Sequence, residues 1–282
     1  MLEDEFGDII LKARAGLGLS VDFISKKMEL TKTEVTQIEA YAKKPTQRQI
    51  ELFATLLHLD PSRLREISSQ MYSPKPAPSL LENRVHTVKG YIGTYEVKGY
   101  LVVDPVSGEA AMVDTANNPD GMIEVIDRNA WNLRYILLTH THQDHIGGLD
   151  QILKQINVPV FVSEQEAVQL GNSWNSKKDR LVTEGDQFHF ANILFEVLNV
   201  PGHTTGGRGY LFSRSDPPFG FFGDTIFAGS LGRAYSTISY PELLNSVREK
   251  VLSLPGETVL YPGHGPATTV EEEKEHNPFF NL

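Results

Sequence analysis

Cysteine is absent from this 282-residue chain. The absence excludes disulfides, thiolate metal ligands and cysteine nucleophiles, and it fits a reducing compartment. Long apolar runs are also absent, because no window approaches the roughly 18 residues of a membrane span. The start, MLEDEFGDII, lacks the basic stretch and the apolar core of a signal peptide. We therefore expect a cytoplasmic protein that does not contact a membrane.

A surplus of positive charge is missing as well. Asp and Glu number 36 against 26 Lys and Arg, which gives a net charge of −10. Nothing in this balance points to a polyanionic partner for the whole molecule. Apolar residues at 40% and charged residues at 22% are ordinary for a globular protein. A chain of this length can hold one large domain or two smaller ones.

Proline does not occur before Pro45, and apolar residues recur three and four apart over the first 70 residues. Residues that cap helix N-termini stand at the expected breaks: Ser20, Thr31 and Asp60. Thr31 with Glu34 has the spacing of a capping box. Residues 1–70 therefore predict an all-α domain of five helices, with the second and third at Val21–Met28 and Lys32–Tyr41.

Alternating prolines mark residues 71–84 as a separate segment. Pro74, Pro76 and Pro78 disfavour helix and strand, so they predict a stiff, extended linker. In residues 85–282, short apolar runs typical of strands are interleaved with longer helical patterns. This mixture predicts a second domain of layered α/β architecture.

Side chains that can bind metals crowd the end of one predicted strand in the second domain. His140, His142, Asp144 and His145 follow the apolar run 136–138. Histidines two apart on extended backbone can converge on one ion, and a carboxylate and a third histidine just after them can reach a second ion. Imidazole and carboxylate together suit zinc, iron or manganese.

Three later segments repeat this arrangement of a metal-capable residue in a Gly-rich turn after an apolar run. The residues are His203, Asp224 and His264. Seven such residues at strand ends are what a two-metal hydrolytic site requires, with one carboxylate shared between the ions.

In this order and context the seven residues resemble the metallo-β-lactamase superfamily, over essentially all of residues 85–282. The resemblance implies an αββα sandwich with two divalent metal ions, zinc first and iron or manganese as alternatives. It implies that the first ion is held by His140, His142 and His203. It implies that the second is held by Asp144, His145 and His264, with Asp224 bridging. Asp144 and Asp224 would be the catalytic carboxylates.

The segments GDTIFAGSLGR and PGHGPATTVEEEKEHNPFF are similar to the compact glyoxalase II-like hydrolases, which cleave acyl thioesters. The resemblance implies a thioesterase acting through a metal-bridging hydroxide on a small acyl thioester or related ester. Larger glyoxalase II proteins carry an additional C-terminal helical domain that holds part of their glutathione site, and this sequence ends at Leu282 without it. Arg233 is the candidate for binding a substrate carboxylate through its planar guanidinium. Arg208 departs from the family pattern.

Other branches of the superfamily are alternatives. Persulfide dioxygenases share the architecture but use one iron held by two His and one Asp. They also carry a Gly-Arg after the shared aspartate, so GSLGR does not separate the two. Antibiotic hydrolases are disfavoured because an export signal and their usual second-site cysteine are absent. Nucleases normally need an inserted domain for which this chain has no room.

Residues 4–70 resemble the helix-turn-helix of Cro/Xre-type phage repressors. The resemblance implies that the third helix enters the DNA major groove and presents Lys32, Thr33, Thr36 and Gln37 to the bases. Residues 1–70 contain 10 Lys and Arg and 11 Asp and Glu, a net charge of −1. Contacts between basic side chains and DNA phosphates supply most of the non-specific affinity for DNA, and a near-neutral domain binds weakly by itself. We therefore expect DNA binding to depend on a homo-oligomer, a dimer or higher. One alternative for the whole protein is a transcriptional regulator whose metallo-β-lactamase-fold domain senses a metabolite or a metal. An alternative for the N-terminal helices is that they serve only for dimerisation.

Overall fold

The computed structural model describes residues 2–281. Its helices are α1 (Phe6–Gly16), α2 (Val21–Met28), α3 (Lys32–Glu39), α4 (Gln47–Leu57), α5 (Pro61–Ser68), α6 (Pro119–Arg128), α7 (Gln143–Ile146), α8 (Leu149–Gln155), α9 (Glu164–Ala167), α10 (Ser239–Ser246) and α11 (Val270–His276). Its strands are β1 (Val85–Ile92), β2 (Tyr95–Val103), β3 (Glu109–Val113), β4 (Asn132–Leu137), β5 (Val160–Val162), β6 (Arg180–Leu181), β7 (Gln187–Phe190), β8 (Ile193–Asn199), β9 (Arg208–Phe212), β10 (Phe219–Gly223), β11 (Ile226–Phe227), β12 (Ser230–Leu231), β13 (Val259–Pro262) and β14 (Thr268–Thr269). The prediction of five N-terminal helices followed by an α/β fold is confirmed.

The N-terminal helices begin where the capping residues predict. Ser20 accepts a hydrogen bond from the backbone of Phe23, and Thr31 and Glu34 form a capping box. The third helix ends at Glu39, two residues before the predicted end, and Tyr41 has a φ of 62°. A helix cannot continue through a left-handed residue, so the shorter helix follows from this turn.

Two six-stranded sheets form the centre of the α/β part. The first has the order β1-β2-β3-β4-β5-β6 and the second the order β14-β13-β10-β9-β8-β7. Both sheets are mixed, with β3 parallel to β4 and β10 parallel to β13. The register pairs Val113 with Leu137 and Gly223 with Pro262. The residues that follow these pairs therefore lie together at one edge.

Apolar side chains between the sheets form one core, which includes Val113 and Leu137 from the first sheet and Phe195 and Phe221 from the second. The outer face of the first sheet packs against α6 and α8. The outer face of the second sheet packs against α10 and the helices beside it. The layers are therefore helix, sheet, sheet, helix, the αββα arrangement.

The N-terminal helices share a core with this second outer layer. Ile9 and Phe53 belong to the same apolar cluster as Phe222 and Leu243. Gly16, at the end of α1, lies so close to Tyr240 that an added methyl group would overlap the ring. Within the predicted linker, residues 71–84, the segment 71–78 forms no helix or strand, but Ser79–Leu81 form a short 3₁₀ helix, and Tyr72 and Leu81 are buried. The division into two domains stays a prediction, and the contacts show a continuous apolar interface.

Several elements differ from the sequence prediction. The apolar runs of the sequence do not mark β1, which Gly90 interrupts, or the four-residue β7. They also do not mark β9, which is buried along its whole length, or the two-residue strands β6, β11, β12 and β14. Residues 240–253, whose apolar spacing predicts one helix, contain most of α10 followed by a π-helical turn, Val247–Val251. No helix within residues 2–281 is long and apolar enough to cross a membrane.

Candidate metal centre

The seven predicted ligands converge at one edge of the two sheets because each follows a strand whose carboxyl end reaches that edge. His140 follows β4, and His142 directly precedes α7, which carries Asp144 and His145. The other three follow strands of the second sheet: His203 after β8, Asp224 after β10 and His264 after β13. Residues far apart in the sequence, such as His140 after the first sheet and His264 after the second, are thus brought together because the two sheets pack face to face.

Three imidazole nitrogens form the first group. Nδ1 of His142 lies 3.1 Å from Nε2 of His140 and 3.0 Å from Nε2 of His203. Four-coordinate zinc with bonds of about 2.0–2.1 Å holds its ligand atoms about 3.3 Å apart. The three nitrogens, together with an oxygen of Asp224, therefore could hold one ion.

The second group consists of Asp144, His145 and His264. Nε2 of His264 lies 3.1 Å from Oδ2 of Asp144. Asp224 stands between the two groups, since its Oδ2 is 3.6 Å from Nε2 of His203 and 3.5 Å from Nε2 of His264. Its Oδ1 lies 3.2 Å from Nε2 of His145. One carboxylate thus contacts ligand atoms of both groups.

Hydrogen bonds behind the rings determine which nitrogen faces the site. Nδ1 of His203 lies 2.8 Å from the carbonyl of Arg233, and Nδ1 of His264 lies 2.6 Å from the carbonyl of Glu96. Nδ1 of His145 lies 2.7 Å from Oδ2 of Asp114. Each partner is an acceptor, so Nδ1 donates and the neutral ring presents the lone pair of Nε2 to the site.

The charges of these groups are strongly coupled. Burial lowers the pKa of His145, but Asp224 and Asp114 outweigh burial and raise that pKa to about 10. Burial likewise lowers the pKa of His264, and Asp224 and Asp144 raise it to about 11. Burial dominates for His203 and lowers its pKa to about 4. The second group therefore holds protons that a bound cation would displace.

The residues fit a pair of metal ions. Nε2 of His145 and Oδ1 of Asp224 are buried, and apart from their 3.2 Å contact with each other neither has a polar partner within hydrogen-bond geometry among the described residues. Buried polar atoms are normally paired, so two orphaned ligand atoms facing each other point to an ion. Gly263 lies against both side chains, and a Cβ there would overlap Asp224. The two His/Asp clusters are consistent with a binuclear site.

Two buried carboxylates hold the ligand loops. Asp114, which directly follows β3, accepts hydrogen bonds from the backbone and hydroxyl of Thr139 and from His145. Glu166, which sequence analysis missed, accepts from the backbone of Thr141 at 2.9 Å and of Gly206 at 3.2 Å. It thereby joins the two loops that carry His142 and His203. Glu166 lies in the short polar helix α9, and nothing in that local sequence indicates that its carboxylate is buried.

A cavity of about 340 Å³ lies over the metal ligands. Its lining includes Asp144, Asp224 and His264, together with Arg233 and Tyr235. The guanidinium of Arg233 lies 5.7 Å from the Tyr235 ring centroid and has no hydrogen-bond or ion-pair partner among residues 2–281. The N-terminal segment also lines the cavity through Glu3, Asp4 and Lys12, which sequence analysis did not connect with the site.

The remaining nominated residues lie elsewhere. Lys32, Thr33, Thr36 and Gln37 are exposed on α3, and Nζ of Lys32 lies 2.7 Å from Oδ1 of Asp22. Arg208 is buried and donates to the carbonyls of Val182, Gly206 and Gly207. Its guanidinium is therefore occupied in holding the backbone.

Comparison with known proteins identifies the class. Residues 94–264 match the family model of the Metallo-beta-lactamase superfamily. This match covers more than half of the chain, so the protein belongs to that superfamily. The N-terminal helices lie outside the matched range, and no helix-turn-helix family matches them.

Individual relatives resemble the α/β part. Hydroxyacylglutathione hydrolase GloC of Haemophilus influenzae is 30% identical over 187 residues, which cover 61% of this chain and 87% of that protein. Among solved structures, BLEG-1 B3 metallo-beta-lactamase has a TM-score of 0.60 at 28% identity, covering 70% of this chain and all of its own. TTHA1623 in a di-iron-bound form has a TM-score of 0.57 at 27% identity, covering 69% of this chain and all of its own.

Proposed function

We propose that this protein is a di-metal hydrolase of small acyl thioesters. The observation that carries the proposal is the convergence of two ligand groups on a shared carboxylate, with Asp224 contacting His203 of one group and His264 of the other. The similarity to a hydroxyacylglutathione hydrolase supports a thioester as the substrate class. The similarity to a di-iron-bound structure supports two ions.

The residues would hold the ions as two neighbouring sites. His140, His142 and His203 would hold the first ion, Asp144, His145 and His264 the second, and Asp224 would bridge. Two divalent ions bound in this way supply a hydroxide at neutral pH and polarise a substrate carbonyl. We propose zinc as the bound metal. Iron and manganese are alternatives, because imidazole and carboxylate ligands suit all three metals.

The protein's own groups perform the remaining tasks. We assign the catalytic carboxylates to Asp224, which joins the two groups, and to Asp144, which is the more exposed of the two at 23% against 10% for its side chain. Asp144 can therefore exchange a proton with the cavity. Thiolate is a good leaving group, so the cavity needs no strong general acid. We assign the binding of a substrate carboxylate to Arg233, whose guanidinium has no hydrogen-bond or ion-pair partner among residues 2–281.

Metal content and turnover, measured on one anaerobically purified sample, test this proposal. We expect about two ions per chain together with hydrolysis of S-lactoylglutathione or another acyl thioester. His142→Ala should lose turnover while the fold is kept, and His189→Ala, which removes an exposed histidine on β7, should change neither. One iron per chain, with oxygen uptake on glutathione persulfide and without thioester turnover, would instead support the mono-iron dioxygenase alternative.

The exposed face of α3 favours DNA binding as a second candidate function. Thr33, Thr36 and Gln37 are solvent-exposed and lie on one helix, as base-reading residues must. The near-neutral charge of residues 1–70 makes a homo-oligomer the form that would bind. Selection from random duplexes at physiological salt should enrich a sequence, and Gln37→Ala but not Gln169→Ala should relax the preference. Failure to enrich any sequence would remove this candidate.

A further inference from the structure

Part of the wall of the metal cavity is formed by residues near the start of the chain, which lie outside the range of the superfamily match. Glu3, Asp4 and Lys12 line the same cavity as the proposed ligands Asp144 and His264. The family match begins at residue 94. The N-terminal helical region is therefore part of the substrate cavity of this protein and not only a neighbour of it.

Two of the three charged residues in this wall are occupied in fixing the segment. The ammonium of Lys12 pairs with Asp4, donates to the carbonyl of Leu231 at 2.7 Å and lies 4.8 Å from the ring centroid of Phe227. Asp4 accepts a hydrogen bond from the hydroxyl of Ser230 at 2.5 Å. Because both charges are buried and satisfied, Lys12 and Asp4 anchor α1 on the hairpin of β11 and β12.

Glu3 is different, because its carboxylate has no hydrogen bond and no ion pair within residues 2–281. The residue is partly buried, and its Cβ packs close to Gly265, directly after the proposed ligand His264. Burial raises the pKa of Glu3, and the nearby His264 opposes this shift. A carboxylate withdrawn from water without a partner is unfavourable, and a cation beside it would remove that penalty.

Two ammonium groups line a neighbouring cavity that Glu3 also borders. Nζ of Lys98 donates to the carbonyl of Gly265 and lies 3.9 Å from Oε1 of Glu96. Nζ of Lys89 lies 3.0 Å from Oε2 of the same Glu96. Neither forms an ion pair with Glu3, although the charge of Glu3 raises the pKa of Lys98 against the larger, opposite effect of burial.

We propose that Glu3 binds a cationic group of the substrate, so that the cavity selects acyl thioesters with a positive charge near the His264 end. This inference rests on the proposed thioesterase function and names its substrate class. The backbone of Arg233 adjoins the first group of ligands, since its carbonyl accepts from His203, whereas Glu3 packs beside Gly265, next to His264 of the second group. A zwitterionic thioester complements both charges.

A pair of substrates that differ only in charge tests the proposal. Acetylthiocholine carries a quaternary ammonium, and S-(3,3-dimethylbutyl) thioacetate is its uncharged isostere. With metal-loaded protein we expect kcat/KM to favour the cationic substrate by about fivefold, the upper range for a partly exposed ion pair. Glu3→Gln should reduce the ratio to about one by slowing only the cationic substrate.

Glu257→Gln is the matched control, since it removes the same charge from an exposed position outside the cavity lining. This variant should keep the wild-type ratio, and the metal content of all three proteins should be equal. A wild-type ratio near one, or an unchanged ratio in Glu3→Gln, would overturn the role of Glu3 and leave the thioesterase proposal standing. If wild-type protein with two bound ions hydrolysed neither of these substrates nor S-lactoylglutathione, the thioesterase proposal and the inference with it would be overturned.

Discussion

Replacing Asp114 should show how much of the metal centre depends on a residue that is not itself a proposed ligand. Its carboxylate is 2% exposed and accepts three hydrogen bonds: from the backbone of Thr139 at 2.8 Å, from the Thr139 hydroxyl at 2.7 Å and from Nδ1 of His145 at 2.7 Å. The first two fix the strand end before His140, and the third fixes the orientation of His145. Asp114→Asn keeps the size of the side chain but places an amide donor among these donors.

The magnitudes follow from these contacts. Loss of a partner that orients a metal-binding histidine typically lowers metal affinity about 10- to 100-fold. We expect this loss to be confined largely to the second ion, which His145 would hold. Removing the acceptor altogether in Asp114→Ala leaves buried donors unpaired, so the free energy of unfolding should fall by about 3–5 kcal/mol.

Competition with a chromogenic chelator at fixed pH would measure both affinities, and urea unfolding of the same samples would measure stability. Asp127→Asn, a change of the same kind on the exposed side of α6, is the matched control. Equal affinities for both ions in Asp114→Asn and wild type would refute the argument that His145 is oriented by this carboxylate.

Three further predictions concern the site and its neighbours. Gly263→Ala should place a methyl group against His145 and weaken binding of the second ion, measured by the same chelator competition. The pKa values of His145 and His264, about 10 and about 11, lie above the ordinary 6.5, so both rings of chelator-stripped protein carry protons at pH 7.5. Metal binding there should release the second proton of each ring, about two in all, in addition to the proton lost when bound water becomes hydroxide. The part that comes from the rings should decline as pH passes through 10 to 11. Calorimetry in buffers of different ionisation enthalpy would measure the release, and a release of about one proton or less at pH 7.5 would contradict the doubly protonated rings. Gly16→Ala should force its methyl group into the ring of Tyr240 and lower the free energy of unfolding by about 1–3 kcal/mol. Unchanged urea unfolding would show that α1 and α10 are not closely packed at this point.

Local signals in the sequence predicted the elements that depend on neighbouring residues. The capping box of Thr31 and Glu34 and the Asp60-Pro61 start require only contacts within one helical turn, and both occur as predicted. The end of the third helix and the strand β9 did not follow from the local pattern. β9 is buried along its whole length between β8 and β10, and a strand buried on both faces does not show the alternating pattern of a half-exposed one.

The seven metal-capable residues could be nominated from the sequence because each stands in a Gly-rich turn after an apolar run. Their convergence required the parallel register that pairs Gly223 with Pro262 and Val113 with Leu137, just before Asp224 and Leu138. Glu166 and the hydrogen bonds that select the histidine tautomers gave no such local signal, because their partners lie 25 to 168 positions away.

The sequence by itself therefore determined the helix starts, the α/β character of residues 85–282, the superfamily resemblance and the set of possible ligands, since these depend on spacing and residue type. Only the tertiary structure decided that Glu3, Asp4 and Lys12 form a wall of the metal cavity. That contact joins Lys12 to Leu231 and Asp4 to Ser230 across more than 200 positions. It arises because α1 shares an apolar core with the second sheet's outer layer, and burial of that surface is a property of the folded chain and not of either segment alone.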